Sequence, residues 1–379
     1  MNEKTNNPER VPNKVEREWE EYKKEELELF TPIVNALGYT LDEKQVQIGG
    51  ERYLLSPHKL VLTGKRTHDD KKVIIKVSTK VTGVAELIHE RTCREALSSI
   101  DFAYNTFFSP EELLFVQKDN YAIAVTSFIP QDITFIARPL QEQFFLALRA
   151  FEAQEGAHAT TYGHMKMIDG LFGSRNSGDY LCTFATFHKS AVANSPDNDE
   201  LREAFVRAEK FLSENSATIE RYCGFLTHHD FVPHNLRVVG RDIYLLDNTS
   251  IDFANKYEGW ARFINFMTQF NPELEKSLVE YVRRNRSEEE YLCLRLMRVY
   301  KLGFLLKFRT ESVSKTSGDM LLLAKLRITF WLHAFTSVLD DTYLPREEVE
   351  AFVAKQGTLR SKDEQERQKE ISLRQQVSM

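Results

Sequence analysis

The stretch FLTHHDFVPHNLRVVGRDIYLLDNTS, residues Phe225 to Ser250, sets three histidines, three acids and Asn235 around two short apolar runs. Three readings are open to it. His228, His229 and His234 are zinc-ligand types, but adjacent histidines on an extended segment point to opposite sides. No further His or Cys follows nearby to close a tetrahedron. A polar loop between two strands is the plainest reading. The third uses spacing: His228-His229-Asp230 is followed by Asn235, and then by LRVV and IYLLD joined at GRD. Such a hairpin returns Asp247 beside the loop holding Asp230 and Asn235. Two acids and an amide that converge are hard oxygen ligands suited to Mg²⁺ and to orienting a hydroxyl for attack on phosphate.

A phosphate-transfer reading requires an anchoring lysine upstream in a strand. VIIK places Lys76 on the face of Ile74, with Val73, Ile75 and Val77 on the other. A strand lysine of this kind needs a carboxylate partner, and the next helix offers Glu86, Glu90 and Glu95.

Bulk properties restrict the alternatives. The 379 residues are 42% hydrophobic and 28% charged, with net charge -6. That length holds a bilobal unit or two domains, and the charge gives no polycationic signature of a nucleic-acid partner. No apolar run is read as reaching the ~18 residues of a membrane span, and the polar N-terminus does not read as a secretory signal. Cys93, Cys182, Cys223 and Cys293 are scattered. Reduced thiols and a cytoplasmic location are therefore expected.

Periodicity divides the chain. Residues 1–44 read as a polar N-terminus followed by a helical extension, with Thr31-Pro32 starting a second helix and Gly38 ending it. Residues 45–129 read as a small antiparallel lobe. Its strands are QVQI, RYLLS, KLVLTGK, KKVIIKV, EELLFVQ and YAIAVTSFI, with GGE and THDD as turns and TGVAELIHERTCREALSSI as its helix. Residues 130–354 read as mostly helical, and residues 355–379 as a charged tail, disordered or a solvated helix.

These motifs resemble the catalytic loop and metal-binding aspartate of aminoglycoside phosphotransferases and their kinase-like relatives, over roughly residues 45–260. The resemblance implies an α+β, bilobal, protein-kinase-like fold with a small antiparallel-sheet N-lobe and a large, mostly helical C-lobe. It implies an ATP-dependent (or GTP-dependent) phosphotransferase acting on a hydroxyl of a small-molecule acceptor. Asp230 becomes the catalytic base, Asn235 and Asp247 the Mg²⁺ ligands, and His228 a structural residue under the loop. Lys76 would hold the α/β-phosphates with Glu95 as its partner, Glu90 being the alternative on another face of the helix. LLSPHKLVLTGK stands in place of a glycine-rich loop, with Ser56 over the β-phosphate. Thr126, Ser127, Phe128 and Ile129 form the interlobe linker to the base.

Departures from the family pattern bear on the rivals. His229 stands where kinases have Arg, Asn248 follows Asp247, and KYEGWA replaces the usual bracing segment. Asp252 and Glu258 are candidates to attract a cationic acceptor such as an amino sugar or amino alcohol. The alternative is a nucleotide-binding pseudokinase without turnover.

Overall fold

The computed structural model describes residues 13–55, 57–99, 108–118, 120–156, 166 and 169–372. Ser56 and the polar residues 1–12, both read from the sequence, lie outside the described residues.

The small lobe is a five-stranded antiparallel sheet. Its strands are β1 (Tyr39–Leu41), β2 (Leu60–Arg66), β3 (Lys72–Ser78), β4 (Glu112–Lys118) and β5 (Tyr121–Ser127), in the order β1-β2-β3-β5-β4. Alternation along β3 sends Val73, Ile75 and Val77 into one core with Leu60, Leu62, Ile123 and Val125. Helix α1 (Lys14–Ala36) covers that face with Trp19, Tyr22, Phe30 and Val34. Full burial of each large apolar side chain contributes about 1.5–3 kcal/mol, so α1 is integral to the lobe. Helix α2 (Val81–Ser99) covers the opposite face, where Leu87 meets Ala122 and Ala124.

Three local expectations change here. α1 runs through Pro32 without restarting. The Thr31 hydroxyl instead donates back to the Leu27 carbonyl at 2.6 Å, and the apolar stripe continues through Phe30 to Val34. QVQI and RYLLS are not strands but short 3-10 turns, Val46–Ile48 and Gly50–Leu55. Tyr39–Leu41 takes the edge position beside β2 instead.

The chain leaves the sheet after Ser127, whose N–H donates to the Glu111 carbonyl at 2.9 Å and whose hydroxyl accepts from Glu111 at 3.0 Å. The large lobe follows. Its helices are α3 (Leu140–Glu155), α4 (Ser177–Ala193), α5 (Asp199–Glu214), α6 (Ser216–Arg221), α7 (Glu258–Phe270), α8 (Pro272–Asn285), α9 (Glu288–Val313), α10 (Asp319–Leu339), α11 (Arg346–Leu359) and α12 (Lys362–Ser372). They enclose two two-stranded ribbons, β6 (Phe225–His228) with β9 (Ile251–Ala254), and β7 (Leu236–Val239) with β8 (Asp242–Leu245). The aromatic core includes Trp260 stacked on Phe151 at 4.2 Å between centroids.

α10 is long and apolar enough, by length and composition, to cross a membrane, with mean hydropathy 1.2 over its best window. Here it lies among α9, α5 and α11, with Leu323, Trp331 and Phe335 buried. The C-terminal tail also departs from expectation. α12 is an ordered helix docked on the 3-10 turn Gly50–Leu55. Its Glu364 is buried and accepts from the Glu51 N–H at 3.0 Å, so this segment is neither disordered nor merely solvated.

Candidate active site

The hairpin β7–β8 pairs Leu236 with Leu245 and Val239 with Asp242. Gly240, at φ 59°, turns it, a left-handed conformation that favours glycine. This register brings Leu246 back to Asn235, whose carbonyl accepts from the Leu246 N–H at 2.9 Å. Asp230, Asn235 and Asp247 thereby share one end of the ribbon.

Each polar group there has a defined partner. Asn235 Nδ2 donates to the Asp230 carbonyl at 3.0 Å and to its Oδ2 at 2.8 Å. Arg262 Nε, from α7, donates to Asp230 Oδ1 at 2.8 Å. Burial alone raises the Asp230 pKa, but the Arg262 guanidinium outweighs it and holds the carboxylate ionised below its ordinary range. The Asp230 side chain keeps 40% exposure, enough for an acceptor to reach it. His228 is buried, and its Nε2 meets the Asp247 carbonyl at 2.7 Å.

Lys76 ties the lobes together. Its Nζ donates to Glu90 and, at 3.1 Å, to the Leu246 carbonyl. Glu95 is not its partner: it is exposed and pairs with Arg91 at 3.0 Å. Glu90 lies one turn beyond Leu87 on the face of α2 packed against the sheet. Glu95, five residues further, is rotated by roughly 140° to the outside.

The structure adds cations that the motif reading missed. Lys59, at the foot of β2, lies 3.6 Å from Glu90 and 3.5 Å from Glu86. Burial alone would lower its pKa, yet Glu90, Asp247 and Glu86 hold it above the ordinary lysine value. Lys59 and Lys76 together overcome the desolvation of Asp247 and keep that carboxylate well below its usual range. Arg52, Lys59, His89, Asp247 and Thr249 line a cavity of about 470 Å³ between the lobes, within the usual size range of small-ligand sites. Lys59 had a sequence signal, because it immediately precedes the buried alternation of Leu60 and Leu62. Arg52 had none, since it sits in a segment read as a strand.

The donor set fits a hard divalent cation. Asp247 Oδ1 accepts from the Thr249 N–H at 3.0 Å and from its hydroxyl. Oδ2 of Asp247 and the side-chain Oδ1 of Asn235 have no hydrogen bond among the described residues, while Asn235 Nδ2 is committed to Asp230. A zinc cage does not form, because the three histidines have three separate partners. His228 takes the Asp247 carbonyl, His229 Nδ1 takes Asp252 at 3.1 Å, and His234 packs edge-on against Phe266. Among the described residues no three His, Cys, Asp or Glu side chains converge on a metal position.

Thr126 and Ser127 close β5, and the Phe128 N–H donates to the Lys72 carbonyl at 3.3 Å. With Ile129 they form the start of the crossing to the large lobe.

Asp252 and Glu258 do not face an acceptor as free charges. Glu258 is buried, accepts from Tyr180, and lies 3.0 Å from Lys301 and 3.4 Å from Arg175. Burial opposes its ionisation, but Lys301 and Arg175 prevail and depress its pKa to about 2. Asp252 is taken by Arg175 and His229. Both acids are already compensated, which removes them as anchors for a cationic substrate. Glu258 is a brace instead: the adjacent Gly259 N–H donates to the Thr227 hydroxyl at 3.1 Å, just before His228. A Cβ on Gly259 would come within 3.0 Å of that hydroxyl oxygen.

No family model and no curated protein matches the sequence. Solved structures do. The ADP-bound aminoglycoside phosphotransferase APH(2'')-Ib is similar with TM-score 0.53 at 12% identity, over 82% of this chain and 98% of that one. The streptomycin–ATP–APH(2'')-IIa ternary complex is similar with TM-score 0.52 at 13% identity, over 82% and 97%. A thermostable mutant of APH(4)-Ia in its apo form gives 0.50 at 13%, over 86% and 96%. The chain has the aminoglycoside phosphotransferase fold. Within that fold its small antiparallel lobe and helical lobe enclose the cavity beside Asp247.

Proposed function

We propose that this protein is a small-molecule kinase that transfers the γ-phosphoryl group of a nucleoside triphosphate to an acceptor hydroxyl. The observation that carries the reading is the 3.1 Å contact between Lys76 Nζ and the Leu246 carbonyl. It sets the cation of one lobe against the acid-bearing hairpin of the other, across one cavity.

The nucleotide would occupy that cavity, with its phosphates toward Lys76 and Lys59 and its base toward the Thr126–Ile129 crossing. Asp247 and Asn235 would hold Mg²⁺, which when bound neutralises phosphate charge. Asp230, fixed by Arg262 and Asn235, orients the acceptor hydroxyl and receives its proton. The acceptor oxygen forms the new P–O bond, the bond from the γ-phosphorus to the bridging oxygen breaks, and the nucleoside diphosphate leaves. Because the transition state is loose, positioning and charge compensation supply most of the acceleration.

The test is ADP release across a panel of hydroxyl compounds with Asp230→Asn as the blank. A fall of about 10²–10⁴ in rate is expected for a positioned acid–base group. Turnover that survives Asp230→Asn undiminished removes Asp230 from the mechanism. Mg-ATP binding without turnover on any acceptor would favour the pseudokinase reading instead.

A further inference from the structure

Several guanidinium groups gather around the carboxylates of Asp230, Glu51 and Glu364. Arg262 binds Asp230 itself. Arg327 grips Glu51 through two nitrogens at 2.6 and 3.2 Å and donates to Gln356 at 2.9 Å. Arg360 approaches the same Glu51 at 3.6 Å, with its Nε buried and unsatisfied. Arg367 of α12 forms a two-point contact with Glu364 at 2.9 and 2.8 Å. Arg52 faces Arg367, Asp247, Glu364 and Asp230.

Arg309 is the outlier. It lies on α9 about two turns beyond Lys301, near Arg327, Glu51, Arg360 and Arg262. It has no ion pair or hydrogen bond among the described residues, and its Nε is buried and unsatisfied. Six arginines therefore share four carboxylates, those of Glu51, Glu364, Asp230 and Asp247. Of the six, only Arg52 borders the nucleotide cavity. Burial and the neighbouring cations bring the Arg309 pKa down to about 9. Arg309 is half-buried, and a guanidinium nitrogen buried without a partner is unfavourable to folding; an anionic ligand relieves it through charge-assisted, two-point hydrogen bonds.

We propose that this arginine cluster is the acceptor subsite, and that the acceptor is an anionic hydroxyl compound, a phosphate monoester being the best match to the surplus of positive charge. This rests on the phosphotransferase reading above and names its substrate class. Arg309, a neighbour of the Arg262 that holds Asp230, binds the anionic group while the hydroxyl reaches Asp230. Arg360 and Arg367, brought in at the start of and along α12, close the subsite from outside. Arg309 is a specificity-determining residue, since it touches neither the hydroxyl nor the nucleotide.

The experiment uses the full-length protein with saturating ADP, titrated calorimetrically with inorganic phosphate, glycerol 3-phosphate, glycerate and glycerol. At least one anion is expected to bind at a single site ten-fold or more tightly than glycerol. Arg309→Met is expected to weaken that binding at least ten-fold, leave ADP affinity unchanged and raise Tm, because it removes a cation whose Nε is buried without a partner. A purely structural role for Arg309 predicts the opposite change in Tm. Anions that bind no better than glycerol, or binding indifferent to Arg309→Met, overturn the proposal. Failure to bind ADP sinks the kinase reading alone, and the same titration without nucleotide then decides the anion subsite.

Discussion

Arg262 Nε and Asp230 Oδ1 lie 2.8 Å apart although they come from different elements, a helix and the loop after β6. The arginine follows Glu258 by four residues on α7, so the sequence invites an i,i+4 pair. Glu258 is instead consumed by Lys301 and Arg175, and Arg262 is left for Asp230. The proposed proton acceptor, Asp230, is thus set by a helix that lies outside the hairpin in sequence.

Replacing Arg262 with Gln therefore acts on protonation as well as position. Its charge holds the Asp230 pKa below the ordinary value against burial. Without it that pKa rises, and the acidic limb of the kcat/KM profile moves to higher pH. A rate loss of about ten-fold or more at pH 7 is expected, toward the lower end of acid–base contributions. A pH–rate profile of Arg262→Gln superimposable on wild type refutes the coupling.

The two candidate partners of Lys76 separate cleanly. Glu90→Ala leaves Lys76 and Lys59 buried without their shared carboxylate, and is expected to cost about 3–5 kcal/mol of stability together with nucleotide affinity. Glu95→Ala, at an exposed pair, should change stability by less than ~1 kcal/mol. Urea unfolding midpoints and ADP titrations of the two variants check this.

Glu258 predicts an acid sensitivity. Its folded pKa of about 2 lies below the ordinary glutamate value of 4.5. The stability it contributes is therefore present above pH ~4.5 and is lost as pH falls toward 2. Glu258→Gln removes that dependence while lowering stability at pH 7, because Lys301 loses its counter-charge. Unfolding midpoints measured between pH 7 and pH 3 should fall less steeply in the variant than in the wild type.

The His234 pKa is also depressed, but here the neutral form is the one that folding favours. Burial, then Arg367 and Arg262, lower its pKa to about 4, so the folded state prefers the neutral ring while the unfolded chain takes a proton near 6.5. Stability is lost as pH falls from ~6.5 to ~4, with no further loss from this group below. His234→Gln should flatten that window in a chemical-denaturation series.

The docking of α12 rests on Gly50. Its φ is +63°, and a Cβ there would come within 2.5 Å of a Glu364 carboxylate oxygen and 2.9 Å of its Cα. Gly50→Ala should cost ~1 kcal/mol or more from the left-handed backbone alone, with added loss from displaced α12. Proteolysis near residue 361 should then accelerate; unchanged cleavage rules out a tight seat.

The hairpin Leu236–Leu245 and the spacing of Asp230, Asn235 and Asp247 were legible because they are local. Period-2 alternation and one glycine turn determine where the ribbon ends, and three oxygen-bearing side chains follow from that end. Lys76 was legible for the same reason, as one residue of an alternating strand. Its partner was not, because choosing Glu90 over Glu95 depends on the rotational phase of α2 against the sheet. Pro32, the two 3-10 turns and the docked α12 were likewise settled by packing over the local propensities of their segments. The pairing of Asp252 and Glu258 was out of reach for the most distant reason. Arg175 and Lys301 converge on Glu258 and Asp252 from opposite ends of the large lobe, while Arg309, Arg327 and Arg360 gather where no sequence neighbourhood joins them. Electrostatic compensation depends on distance in space, and only the tertiary structure decides which charges meet and which remain unpaired.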